Sequence, residues 1–209
     1  MVLSDKQLQI LETAEKLFAS KGFDGTSVRD IAEEAGVNLA MISYYFGSKL
    51  KLMEAIFEKR SMNVRERVDH LLQNSALEPM DKMYLLVDEY ISRVMEKQQF
   101  FKIMLCEQVV NKNPVIIKLI NELKFKNAES ITRLIKDGQK RGAFKKNIDV
   151  VFMMSTMIGT ITQVMISQDY YREFHNLQSL SDEQFDTHIK KKLGTYIKTI
   201  FKEILSYEG

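Results

Sequence analysis

Gly25-Thr26-Ser27-Val28-Arg29-Asp30-Ile31-Ala32-Glu33-Glu34-Ala35-Gly36-Val37-Asn38-Leu39-Ala40-Met41-Ile42-Ser43-Tyr44-Tyr45-Phe46-Gly47-Ser48-Lys49 holds two short helical patterns broken by one glycine. In the first, Val28, Ile31, Ala32 and Ala35 fall at i, i+3, i+4 and i+7, the spacing that lines one face of a helix. Thr26 and Ser27 offer N-cap hydroxyls before it, and Gly36 stops it. Asn38 caps the second pattern, Leu39 to about Tyr45, and Gly47-Ser48 separates it from a longer helical run beginning at Lys49. Upstream, Ile10, Leu11, Ala14, Leu17 and Phe18 form the stripe of a first helix, from about Asp5 to Lys21. Gly22 stands where a left-handed C-cap is favoured. Two short helices joined by a tight glycine-containing turn and packed on a preceding helix make a helix-turn-helix.

Downstream the chain continues in helical patterns. The long fourth helix that begins at Lys49 runs past Arg67, and Pro79 suits the first turn of a helix reaching Lys97. Phe100 to Val110 predicts a shorter one, and Asn113-Pro114 opens another to about Gln139. Asp149 caps the apolar helix Val150 to Ile166, while the polar stretch Ser167 to Leu180 predicts a loop. The last helix, Asp182 to Ser206, carries one stripe: Phe185, Ile189, Leu193, Tyr196, Ile197, Ile200, Phe201 and Ile204. With two prolines and nine glycines in 209 residues, breakers are few. The expected fold is all-α: a three-helix helix-turn-helix domain over residues 1–48, joined by the long fourth helix to a helical body over residues 49–209.

Composition narrows the function. The net charge is only +2, and up to residue 60 the acidic residues slightly outnumber the basic ones, so bulk charge announces no polyanionic partner. Local arrangement is more informative, because Ala35 to Met53 holds Lys49 and Lys51 and no acid. A single cysteine, Cys106, excludes an internal disulfide and a cysteine-cluster metal site, and suits a reducing cytoplasm. His70, His175 and His188 are scattered, with no partner at metal or catalytic spacing. No apolar run reaches the ~18 residues of a spanning helix, and the N-terminus lacks the order of a signal peptide. Neither a metal, a cofactor, a membrane nor an enzyme activity is expected.

The quoted stretch, above all Gly25 to Val37 and then Ile42-Ser43-Tyr44-Tyr45-Phe46-Gly47-Ser48-Lys49, resembles the DNA-binding domain of TetR-family regulators. The resemblance spans roughly residues 6–58, a quarter of the chain. It implies a third helix entering the major groove of operator DNA, with Leu39, Ala40, Met41, Ser43 and Tyr44 turned towards base edges in a groove about 12 Å wide. Where the family often has a basic residue and a glycine, Leu39 and Ala40 stand here, and Ser43 replaces a common tyrosine. Lys49 lies in a first helical turn with no preceding acid, against the positive end of the helix dipole; a docked phosphate would relieve that conflict. Thr26, Ser27 and Asn38 at helix starts, Arg29, and the Tyr45 hydroxyl complete the expected DNA contacts. Two bland alternatives stand beside these: Tyr44 and Tyr45 as packing aromatics, and Lys49 as a solvated lysine.

The resemblance further implies a homodimer built from the last two long helices, and an effector pocket in the body. For the dimer, the small residues Ser155, Gly159 and Thr160 and the stripe residues Ile197, Ile200, Phe201 and Ile204 are the candidates, with intramolecular core as the alternative. For the effector, Met83, Tyr84, Tyr90, Met95, Phe100, Phe101, Met104 and Phe125 offer adaptable apolar surface. The expected function is a cytoplasmic, homodimeric repressor released from operator DNA by a small apolar or aromatic molecule. The rival is an all-α ligand carrier or enzyme with a vestigial helix-turn-helix.

Overall fold

The computed structural model describes residues 3–207, apart from the side chains of residues 61–65. Its helices are α1 (Asp5–Lys21), α2 (Val28–Glu34), α3 (Leu39–Phe46), α4 (Lys49–Gln73), α5 (Pro79–Glu96), α6 (Gln98–Cys106), α7 (Pro114–Lys140), α8 (Val150–Ile166), α9 (Gln168–Phe174) and α10 (Asp182–Leu205). A π-helical turn, Glu107–Asn111, extends α6. The regular structure among the described residues is all helical. None of these helices alone is long and apolar enough to cross a membrane.

The chain forms two compact units: Met1–Arg65 with Lys97–Lys126, and Glu66–Glu96 with Asn127–Gly209. In the first, side chains satisfy the helix starts. The Ser4 hydroxyl accepts from the Gln7 amide while the Gln7 side chain accepts from the Ser4 amide; Ser27 and Asp30 repeat this reciprocal box at α2. The apolar faces of α1, α2 and α3 bury Ile10, Leu11, Phe18, Ile31 and Ile42 in one cluster. That cluster does not close on three helices. Leu52, Ile56 and Phe57 of α4, Phe100 and Ile103 of α6, and Ile116, Ile120 and Leu123 of α7 belong to it. The compact unit around the helix-turn-helix therefore takes in Lys97–Lys126.

In the second unit α10 packs along α5 and α8. The inward stripe of α10 (Phe185, Ile189, Leu193, Ile197, Phe201 and Leu205) is buried, as are Met83, Val87 and Ile91 of α5. Phe144 is also buried, against Gly138, where an added Cβ would lie 2.2 Å from the ring.

Two expectations change. Ser167 to Leu180 is not all loop, because α9 forms within it. Its aromatics sit four apart, so that Tyr170 meets Phe174 at 5.9 Å and Tyr171 meets His175 at 4.4 Å between centroids. Arg172 lies 3.9 Å over the Phe185 ring and donates to the Leu180 carbonyl. The polar residues between these aromatics conceal the pattern. Phe100 to Val110 is likewise not one α-helix. It starts two residues earlier, widens into the π turn at Glu107 and ends at Lys112 in the left-handed region, φ 54°.

Phe185 is fully buried and receives both Arg172 and Tyr171. Phe185→Ala should lower stability by about 3–5 kcal/mol, read as a lower midpoint in denaturant unfolding.

Candidate nucleic-acid interface

Backbone and side-chain bonds fix α3 against α2. The Gly36 amide donates to the Glu33 carbonyl at 3.1 Å and the Val37 amide to the Ala32 carbonyl at 3.0 Å. Gly36 takes φ 59° at this corner, a conformation that favours glycine. From α1, the Gln9 side-chain amide donates to the Ala35 carbonyl at 2.9 Å and ties the turn to the base. Ile42 then points inward, so the opposite face of α3 turns out.

That outward face carries Leu39 (40% exposed), Ala40, Ser43 and Tyr44 (84% exposed). Met41 and Tyr45 are half-buried at its edge, and the Tyr45 ring stands edge-on to both Tyr44 and Phe46. Asn38 is exposed, with its side-chain oxygen accepting from the Ala40 amide at 2.9 Å. Ser27 and Arg29 are exposed at the start of α2. The Ser27 amide, and secondarily its hydroxyl, holds the Asp30 carboxyl below its ordinary value. A depressed carboxylate stabilises the fold above its unfolded pKa, and that contribution fades as pH falls through the folded value.

Two expected phosphate ligands are bonded within their own unit. Thr26 is 1% exposed, and its hydroxyl donates to the Gly22 carbonyl at 2.8 Å and the Leu17 carbonyl at 3.3 Å. It joins α1 to α2 and leaves the N-cap to Ser27 alone. The Lys49 ammonium donates to the carbonyls of Phe23 (2.8 Å) and Thr26 (3.0 Å) and lies 4.4 Å from the Phe23 ring centroid. The conflict between its charge and the α4 dipole is thus relieved by carbonyls of the same unit.

A further residue has a role that no motif announced. Glu107, 1% exposed in the π turn, accepts from the Phe23 amide at 3.4 Å and from Asn111 at 3.0 Å. Its other oxygen is buried with no hydrogen-bond partner. Arg60, bound to Glu15 through two donors, similarly joins α4 to α1.

The expected effector residues divide between the units. Met83 is buried, and Tyr84, Tyr90 and Met95 are half-buried, on α5 of the second unit. Burial raises the Tyr90 hydroxyl's pKa above its ordinary value. Phe100 is buried on α6 of the first unit, beside the half-buried Phe101 and Met104. Phe125 is 70% exposed on α7. Of the expected dimer residues, Ile197 and Phe201 are buried inside the second unit. Ser155 and Gly159 are exposed, and Thr160, Ile200 and Ile204 half-buried.

A glycine-cornered helix pair that presents a short capped helix outward from a helical base is a helix-turn-helix, the motif whose second helix enters the DNA major groove. Residues 10–56 match the bacterial regulatory proteins of the tetR family. The chain is 30% identical over 134 residues to the probable HTH-type transcriptional regulator YttP of Bacillus subtilis, over 64% of this chain and 64% of that one. It is 22% identical over 177 residues to the fatty acid metabolism regulator protein of Bacillus subtilis, over 85% of this chain and 90% of that one. The structure of the regulator FadR from Bacillus subtilis in complex with stearoyl-CoA superposes with a TM-score of 0.67, at 17% identity, covering 92% of this chain and 97% of that one. Residues 10–56 thus carry a DNA-binding domain of the kind found in the bacterial regulatory proteins of the tetR family.

Lys49 and Tyr44 predict a shared loss of DNA affinity with different effects on stability. Lys49→Met should lower stability by about 1.5–3 kcal/mol for a lost charged hydrogen bond, read as a lower unfolding midpoint, together with DNA affinity. Tyr44→Ala should lower affinity in a gel shift and leave the midpoint unchanged.

Proposed function

We propose that this DNA-binding regulator is a cytoplasmic homodimeric repressor, released from a two-fold operator by a small apolar effector, and that it catalyses no reaction. The outward face of α3 carries the reading: an uncharged, exposed, short helix set for a major groove by the Gly36 corner. Ser27, Arg29, Asn38, Leu39, Ala40, Met41, Ser43, Tyr44 and Tyr45 are proposed as the DNA contacts, within the domain of residues 1–48. Lys49 and Thr26 support them by fixing the α1–α2 connection.

The dimer reading rests on the second unit. Val151, Phe152 and Ile166 are exposed on α8 beside Ser155 and Gly159, and Tyr196 is exposed on α10. An added Cβ at Gly159 would meet nothing within 4 Å of its own chain. Exposed apolar side chains around small residues on one helix mark a candidate interaction site. Ser155, Gly159, Thr160, Ile200 and Ile204 are proposed at the interface. Light scattering should give about twice the 24.3 kDa chain mass. Gly159→Arg should shift the protein towards monomer and weaken operator binding on the order of 100-fold, as bivalent attachment is lost; a monomeric parent would remove this part of the reading.

For the effector, an apolar or aromatic molecule suits the half-buried Tyr84, Tyr90 and Met95 of α5 in the second unit. Stearoyl-CoA, bound by the structural relative above, is the probe to use. Its addition should dissociate a preformed operator complex while coenzyme A alone does not. Release requires that it bind the DNA-free state about 100-fold more tightly than the DNA-bound one. An unchanged complex in saturating acyl-CoA would remove this effector class.

A further inference from the structure

Helix α3 puts an unusual chemical inventory towards DNA. Its sequence, Leu39-Ala40-Met41-Ile42-Ser43-Tyr44-Tyr45-Phe46, contains no lysine, arginine, asparagine, glutamine or histidine. The N-cap amide Asn38 commits its oxygen to the Ala40 amide. Guanine is ordinarily recognised by a paired donor from arginine or lysine, and adenine by a side-chain amide. Leu39 to Phe46 offers neither. What Leu39 and Ala40 do offer is exposed hydrocarbon, on the same outward face as the Ser43 hydroxyl and the Tyr44 ring. On a major-groove edge, hydrocarbon has one complementary feature, the C5-methyl group of thymine.

We infer that Leu39 and Ala40 select operator positions bearing thymine by packing against its methyl group, with Ser43 and Tyr44 adding polar contacts that discriminate less. This rests on the DNA-binding reading above and names what the recognition helix reads. Specificity here comes from shape and methyl burial. Arg29, on α2, is the exposed cation of the helix pair; it stands outside this face and is left for a phosphate or a flanking base.

The test uses the full chain and duplex DNA. A binding duplex is first selected from a random pool, and each thymine is then replaced singly by deoxyuridine, which removes only the methyl group. At one or two positions per half-site affinity should fall about fourfold, the value of one buried methyl. In Leu39→Ala the difference between thymine and uracil at one of those positions should shrink towards unity, with an unchanged unfolding midpoint because Leu39 lies outside the core. Equal affinity for thymine and uracil at every position would overturn the inference, and so would a thymine preference that Leu39→Ala and Ala40→Gly both leave intact. Failure to enrich any duplex would overturn the DNA-binding reading itself, and this inference with it.

Discussion

The Phe23 peptide is the point on which the DNA-facing helices depend. Its carbonyl accepts from the Lys49 ammonium and its amide donates to Glu107, while its ring packs on Phe18 and under the Lys49 charge. One residue between α1 and α2 thereby receives α4 through its oxygen and the π turn through its nitrogen. A half-buried ammonium with two carbonyl acceptors and an aromatic face is well compensated, whereas leaving those carbonyls unpaired would carry a desolvation cost. The start of α2 is fixed in the same stroke, because the second acceptor is the Thr26 carbonyl, next to the Ser27 cap.

Much of this architecture is legible in the sequence. Gly36, Asn38 and Ser27 mark the helix-turn-helix because each does a local job: a positive φ and two side-chain caps. The ends of α5, α7 and α10 follow from Pro79, Pro114 and the Phe185-to-Ile204 period for the same reason. Other features depend on which partner a side chain meets in the fold. The roles of Lys49 and Thr26 are decided by carbonyls 23 to 26 and 4 to 9 positions away. Glu107 bonds across 84 residues, and no local signal marks a glutamate that leaves solvent for such a bond. The stripe of α10 shows periodicity in both cases, so spacing alone could not separate Ile197 and Phe201, facing their own unit, from a face awaiting a second copy.

The interface also divides its work in an orderly way. Side chains with charge or strong donors (Lys49, Thr26, Gln9 and Arg60) are bonded inside the first unit. The outward face of α3 is left to hydrocarbon, hydroxyl and a ring. A rigid base built by the polar groups suits such a face, because apolar contacts lack direction and discriminate only if their position is held.

The chain passes between its two units three times, inside α4, at the α5–α6 junction and inside α7. The helix-turn-helix is thus contiguous as a motif but discontinuous as a body: Phe100, Ile103, Ile116, Ile120 and Leu123 finish a core that Ile10 and Phe18 begin. Recombination that exchanges such modules between regulators by a single crossover after α3 would bring together halves of two different cores. On the proposed reading, new operator preferences are more cheaply reached by point changes on Leu39, Ala40 and Ser43, whose side chains the core does not use, than by transplanting the domain that carries them.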